Sequence, residues 1–269
     1  MELKVRLLIA QCLLSCIQYG FIEAMESRGA REGEFPFVVS IKKQEYPNRP
    51  DKDHVCSGVL ISNKDVLTIE RCQECVTEGA TEILYGSVNL KAGFKRYPLW
   101  WMTYVQWAHI KNKQLTYQQN QLAIIRLNEP VPASIKIAEI QTTQNSNLYG
   151  SLVQTAGWGA LMIGMTPRLM RTTSLTVLTN EQCQQKINRL YPRRPFQLQP
   201  TYLCTNGDHE EQHWHLMDFG GPLIFDDKVI AINQDIYPMP TNPPHPEKLN
   251  LHIRLDYYSD FIRDVTNNF

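Results

Sequence analysis

The feature that most constrains the fold of this chain is a series of short segments rich in Val, Ile, Thr, Trp and Tyr, separated by polar turns. Such segments are typical of β-strands, and their close spacing favours an all-β sandwich or a pair of barrels. Helical periodicity is strong in only two places, 180–191 and 257–269, so we expect one short intermediate helix and one C-terminal helix. The strand-like segments are 35–41, 55–62, 65–69, 82–88, 97–110, 122–127, 151–159, 168–178, 222–225 and 229–236.

The composition is that of an ordinary globular protein. The chain has 269 residues, of which 43% are hydrophobic, so it is long enough to bury a large core. Lys plus Arg and Asp plus Glu both total 27, so the formal net charge is zero. Nucleic-acid binding therefore has no electrostatic support, and we expect no nucleic-acid partner.

The N-terminus has the pattern of a secretory signal peptide. Lys4 and Arg6 precede an apolar run over residues 7–17, which is too short to span a bilayer. We expect a signal peptide over 1–20, with cleavage between 16 and 24, and hence a secreted protein with no other membrane contact. An uncleaved signal anchor is the alternative.

The cysteine count agrees with an oxidising compartment. Two of the seven cysteines lie in the expected signal peptide, and five remain in the mature chain. An odd number leaves one thiol over. The five are Cys56, Cys72, Cys75, Cys183 and Cys204.

The segment HEEQHWHLMDFGGP (209–222) contains a zinc-peptidase pattern. His209, Glu210 and His213 match H-E-x-x-H, in which a helix presents two histidines on one face. A preceding Gly-Asp pair predicts a loop here, which would not preset that geometry. We therefore expect no cofactor and no dedicated metal site. Adventitious Zn²⁺ or Cu²⁺ binding that includes His215 stays open, and a metal-binding hydrolase is kept as an alternative function.

Six motifs occur in one order and spacing: EFPFVVSI, HVCSGVLISNKDVLTIERC, QNQLAIIRLNEP, TAGWG, DFGGP and the helical tail. Together they resemble the trypsin/chymotrypsin-like serine proteases over residues 33–269. The resemblance implies two antiparallel six-stranded β-barrels, at about 34–135 and 150–256, with the active-site cleft between them. A helix over about 257–267 would pack outside.

The resemblance also implies two disulfide bonds. Cys56 and Cys72 match the pair that braces the loop before the catalytic histidine, and Cys183 and Cys204 match the pair after the intermediate helix. Cys75 has no counterpart in the family. We expect it to be unpaired, either as a buried thiol or as the site of an intermolecular disulfide.

The three positions of the catalytic triad are recognisable and all are substituted. Arg71 in TIERC stands where the family has its general base, and a guanidinium cannot accept a proton. Gln121 in QLAI replaces the carboxylate that orients the base, and Phe219 in MDFGGP replaces the serine nucleophile. Because the family's catalytic roles fall on residues that cannot perform them, the resemblance predicts no serine peptidase activity.

Other parts of the catalytic apparatus are degenerate as well. Met217 occupies the position of a glycine that helps to form the oxyanion hole, and His213 that of the specificity-pocket aspartate. The segment before FPFVVSI also lacks an Ile-Val-Gly-Gly start, so the usual zymogen activation is not expected.

The sequence thus predicts a secreted, catalytically inactive serine protease homologue. We expect it to bind a protein or peptide in the former active-site cleft, in a regulatory role. Inactive relatives of this kind are often secreted in the reproductive tract, so reproduction is one setting that the resemblance suggests. A decayed gene product with no selected function is a further alternative.

Overall fold

The protein is described from a computed structural model, in which strands dominate. The described residues are 27–44, 53–76, 79–115, 121–141, 144–159, 166–193, 195–206, 218–238 and 248–269. Their strands form two antiparallel sheets. In this part of the chain no helix is long and apolar enough to cross a membrane.

The first sheet is curled and contains seven strands: β2 Val38–Lys43, β3 His54–Leu60, β4 Asp65–Ile69, β5 Thr81–Tyr85, β6 Phe94–Arg96, β7 Pro98–Thr103 and β8 Leu122–Leu127. Their spatial order is β6-β5-β2-β3-β4-β8-β7. Its inner strands β4 and β8 are short apolar runs, DVLTI and LAIIRL, and bury nearly all of their residues. Continuous apolar runs of this length are typical of strands buried on both faces.

The main strands of the second sheet are β9 Leu152–Gly157, β10 Arg171–Val177, β11 Tyr202–Asn206, β12 Pro222–Phe225, β13 Lys228–Tyr237 and β14 Leu249–Arg254. They close into a six-stranded barrel, because β9 pairs with both β10 and β12. Closure leaves no unpaired edge within the ring. A two-residue strand near the N-terminus, β1 (Arg28–Gly29), adds to β10 from outside. The all-β fold class expected from the sequence is confirmed.

The strand predicted over 97–110 is wrong beyond Thr103, where a helix begins. Helix α2 (Tyr104–Ile110) follows β7 directly. Thr103 Oγ1 accepts a hydrogen bond from Gln106 N at 3.2 Å, and Gln106 Oε1 accepts one from Thr103 N at 2.9 Å. This reciprocal capping box stabilises a helix start and overrides the β propensity of the aromatic residues around it.

The other helices include the two expected from periodicity. Besides the short α1 (Arg71–Glu74), they are α3 (Asn180–Leu190) and α4 (Ser259–Asn268). A 3₁₀ turn precedes α4, and the apolar residues of α4 are buried against the first sheet's core cluster. Trp107 Nε1 of α2 donates to Asp264 Oδ2 of α4 at 2.7 Å, which joins the two helices.

Both expected disulfide bonds are present. Cys56–Cys72 links β3 to α1, and Cys183–Cys204 links α3 to β11. With sequence separations of 16 and 21 residues, each contributes about 3 kcal/mol in the chain-entropy account. Cys75 has a free thiol, but the expectation that this thiol is buried is wrong, because the residue is exposed. An intermolecular disulfide through Cys75 stays a prediction.

A chain of buried polar side chains crosses the second barrel. His252 bonds through Nε2 to Thr205 Oγ1 at 2.8 Å and through Nδ1 to Asn233 Oδ1 at 2.9 Å. Asn233 Nδ2 donates to Thr155 Oγ1 at 2.9 Å, and that hydroxyl donates to the Pro222 carbonyl. An amide oxygen only accepts, so Nδ1 of His252 carries a proton, and Nε2 of the neutral ring accepts from the Thr205 hydroxyl. Complete burial lowers the pKa of His252 to about 3.

We predict that His252 makes stability depend on pH between about 6.5 and 3. The unfolded histidine takes up a proton below pH 6.5 and the folded one does not, so acid favours unfolding. The free energy of unfolding should fall by up to about 1.4 kcal/mol per pH unit from this group. Denaturant unfolding between about pH 7 and pH 5 measures it.

The matched comparison is between His252→Gln and His109→Gln, since His109 is exposed on α2. The first variant should lose stability at neutral pH and show a shallower pH slope than the parent. The second should keep the parent's slope. Equal slopes in all three proteins would contradict a buried neutral His252.

Candidate functional site

Strand pairing in the first sheet brings Arg71 and Gln121 together. Arg71 opens α1 just after β4, and Gln121 immediately precedes β8. The antiparallel register pairs Ile69 with Leu122, and Glu70 N donates to the Gln121 carbonyl at 2.6 Å. Two residues 50 positions apart in sequence therefore lie at one end of the sheet.

Phe219 reaches the same place from the second sheet. It lies in the turn Asp218–Gly221 that precedes β12. Its carbonyl accepts a hydrogen bond from Ser57 N of β3 at 2.9 Å, which ties the turn to the first sheet. The ring is partly buried and packs against the core clusters of both sheets. The structure thus brings together the three residues aligned with the triad.

Arg71 contacts Phe219 and a carboxylate of the second barrel. Its guanidinium carbon lies 5.2 Å from the centroid of the Phe219 ring, within the range of a cation–π contact. Its Nη2 lies 3.7 Å from Asp235 Oδ2, and its side chain is 36% exposed. A guanidinium has only donors, so neither contact equips Arg71 to accept a proton.

Gln121 makes an amide–amide hydrogen bond instead of orienting a base. Its Oε1 accepts from Nε2 of Gln234, a buried residue of β13. Both groups are neutral, so this bond supplies no negative charge to stabilise a cation beside it. Among the residues that the structure describes, the carboxylate that contacts Arg71 belongs to Asp235, which follows Gln234 in β13.

The DFGGP and TAGWG motifs contact each other directly. Gly159 N donates to Asp218 Oδ1 at 2.7 Å, and a Cβ at Gly159 would collide with that carboxylate. Gly220 has φ of 77°, a left-handed conformation that favours glycine, and its N donates to the Asn233 carbonyl. The turn therefore keeps its shape without the side chain that the family uses for catalysis.

A cavity of about 360 Å³ lies beside Arg71 and Gln121. Four glutamines line it, together with Asp235, two tyrosines, Phe196 and Leu251. Burial raises the pKa of Asp235, and the positive charge of Arg71 opposes that rise. Burial, assisted by the charge of Asp235, also raises the pKa of Tyr202 to about 12. The tyrosines therefore stay protonated at neutral pH.

Sequence reasoning did not single out Asp235, Gln234 or the buried pair Ser40 and His54. Ser40 Oγ and His54 Nδ1 are 2.7 Å apart, and both residues are completely buried. The pair has the atom types of a nucleophile and its base, but a substrate cannot reach completely buried atoms. No short motif marks these four positions, because each contacts its partner only through the packing of strands.

Several predicted site residues lie outside the described part of the chain. They include the oxyanion-hole position Met217, the specificity-pocket position His213, and the zinc pattern with His209, Glu210 and His215. The expected signal peptide lies outside it as well. Those interpretations therefore stay predictions.

Comparison with known proteins identifies related chains. Human kallikrein-4 is 28% identical over 177 residues, covering 63% of this chain and 62% of the relative. A protein C activator from Agkistrodon contortrix contortrix is 25% identical over 218 residues, covering 78% of this chain and 85% of the relative. For kallikrein-4 the match thus spans somewhat less than two thirds of the relative's length.

Solved structures share the fold. Human heparin binding protein has a TM-score of 0.68 at 20% identity, and the match covers 91% of this chain and 97% of that one. The scabies mite inactivated protease paralogue S-D1 has a TM-score of 0.71 at 18% identity, with the same coverage. The family model for trypsin matches residues 25–262. This chain therefore belongs to the trypsin family, as its six motifs indicate.

Proposed function

We propose that this trypsin-family protein does not cleave peptides and instead binds a protein or peptide segment in the cleft between its two sheets. The observation that carries the proposal is the contact of Arg71 with both Phe219 and Asp235. The position of the general base holds a permanent cation, and the position of the nucleophile holds a hydrocarbon ring.

Peptide hydrolysis by this family's mechanism needs a nucleophilic oxygen and a neutral imidazole that takes its proton. Phe219 has no ionisable atom and Arg71 has no lone pair to accept a proton. Gln121 is bonded to Gln234 and carries no charge. Restoring one of the three positions would leave the other two unable to act.

The same substitutions suit the site to binding. The Phe219 ring is partly exposed, and the adjoining cavity combines apolar walls with amide and carboxylate groups, as ligand sites commonly do. The two disulfide bonds support a secreted protein. The structural match to an inactivated protease paralogue supports the idea that this fold can be kept without the activity.

We predict that a fluorophosphonate probe does not label the protein and that peptide substrates are not turned over. Phe219→Ser alone should also stay unlabelled, because Arg71 cannot take the hydroxyl proton. Mass spectrometry of the probe-treated protein and a fluorogenic peptide assay measure this.

Ser40→Ala is the control for the buried serine–histidine pair. If the parent is labelled or active and this variant is not, Ser40 is a nucleophile and the proposal is wrong. Activity that persists in Phe219→Ala and disappears with a chelator would instead favour the metal-binding alternative.

We predict that Phe219→Lys abolishes capture of the partner from the secretory fluid in which the protein is found. The added cation removes the apolar surface and repels Arg71. The matched control is Phe94→Lys, which changes a phenylalanine that is 60% exposed on the edge strand β6. Quantitative mass spectrometry of the captured proteins compares the two.

The parent and Phe94→Lys should retain the same dominant partner, while Phe219→Lys should not. The melting temperature of each variant shows that it is folded before capture. Equal capture by all three proteins would place the binding surface outside the cleft.

A further inference from the structure

Two side-chain contacts lie next to each other across the cleft and join the two sheets. Gln121, just before β8 of the first sheet, accepts a hydrogen bond from Gln234 of β13. Arg71 of α1, also on the side of the first sheet, contacts the carboxylate of Asp235, the next residue along β13. All four residues line the cavity of about 360 Å³, so a segment bound there would lie against both contacts.

The two contacts respond differently to pH. Both partners of the Gln121–Gln234 bond are amides, which stay neutral across the range in which proteins are folded. Arg71 likewise keeps its charge, but the carboxylate of Asp235 takes up a proton in acid. Protonation removes the attraction between Asp235 and the guanidinium, because a carboxylic acid carries no charge. Of the two contacts, acid therefore weakens the one that Arg71 makes.

Among the described groups that face Asp235, the positive charge comes from Arg71, and the other ionisable groups are tyrosines. Tyr237, on β13 itself, donates its hydroxyl to Asp235 Oδ2 at 3.1 Å. Burial, assisted by the charge of the carboxylate, raises the pKa of Tyr237, of Tyr202 on β11 and of Tyr191 after α3. All three tyrosines stay protonated at neutral pH and below. Among these described groups, the change of charge in acid therefore occurs at Asp235.

Burial makes the carboxylate of Asp235 easier to protonate than an exposed one. Its side chain is 14% exposed, and this burial raises its pKa above the ordinary value for aspartate. The charge of Arg71 and the hydrogen bonds from Tyr237 and Ile236 N oppose that rise. A raised pKa means that the folded protein holds this proton more tightly than the unfolded chain does, so protonation of Asp235 favours folding. The charge can therefore be lost without unfolding the protein.

We propose that Arg71 and Asp235 form a latch across the cleft, which is closed at neutral pH and released when Asp235 takes up a proton. The guanidinium, whose side chain is already partly exposed, then keeps its contact with the Phe219 ring but is no longer attracted to β13. Release removes one of the two contacts that cross the cleft, so a partner segment enters more readily in acid than at neutral pH. The inference rests on the proposed function, since it describes how access to the same cleft is regulated.

The test follows both side chains by NMR in the purified protein, without a partner, as the pH is lowered from neutrality. The chemical shift of Asp235 Cγ measures its protonation. Broadening of the Arg71 Nε–H signal by a soluble gadolinium chelate measures how far the guanidinium is exposed to solvent. The ratio of released to latched Arg71 should rise by up to about fivefold as Asp235 is protonated, the factor that a partly exposed ion pair contributes to an equilibrium.

Two variants separate this titration from other effects of acid. Asp235→Asn has no charge at any pH, so Arg71 should be released at neutral pH and its signal should no longer depend on pH. The matched control is Asp256→Asn, which removes the carboxylate of another Asp–Arg pair, the one with Arg254 after β14. In that variant the Arg71 signal should keep the pH dependence of the parent.

The proposal is overturned if Asp235 titrates at or below the ordinary value for aspartate, or if the Arg71 signal is the same in the parent and in Asp235→Asn. If Asp235→Asn does not fold, the parent decides, since different midpoints for the Asp235 and Arg71 signals contradict the latch. A failed latch with partner capture still dependent on Phe219 refutes only this regulation. Labelling of the parent by the fluorophosphonate probe refutes the proposed function itself.

Discussion

The turn Asp218–Gly221 is held from both sides, and the arrangement of the site depends on this clamping. Ser57 of the first sheet donates to the Phe219 carbonyl, and Gly159 of the second donates to the Asp218 carboxylate. Behind the turn, Asn233 bonds to its backbone and to His252. These groups are buried, so breaking any one bond would leave an unsatisfied polar atom at a cost of about 1–3 kcal/mol. The scaffold is therefore stable independently of the side chain at position 219.

Arg71 replaces the general base, and its contacts also shape the cleft in which we propose that a partner binds. A histidine at its position would be a much weaker base without a carboxylate to orient it, and Gln121 carries no charge. The guanidinium instead divides its contacts between the Phe219 ring and Asp235. Neither contact is optimal, because the first is partly exposed and the second is 3.7 Å long.

The fold and the substituted positions were predictable from the sequence, but the surroundings of the site were not. β-rich segments predict the sheets because strand propensity and alternation are local properties. Over 97–110 strand propensity gave a wrong prediction beyond Thr103. A capping box at Thr103 starts a helix there despite the aromatic residues. The cysteine pairs followed from motif order rather than from geometry. Asp235 and Gln234 bear no motif, because their roles come from contacts with Arg71 and Gln121, which are distant in sequence.

The sequence by itself determined which chemical groups stand at the three triad positions, and side-chain chemistry does not depend on the fold: arginine has no acceptor and phenylalanine has no nucleophile. It also determined the family, through motifs spread over most of the chain. Only the tertiary structure decided what those groups contact. Packing of two sheets places Arg71 between an aromatic ring and a largely buried carboxylate, and it pairs Gln121 with Gln234. Burial and side-chain pairing depend on how residues that are distant in sequence pack together, so a local sequence pattern does not reveal them.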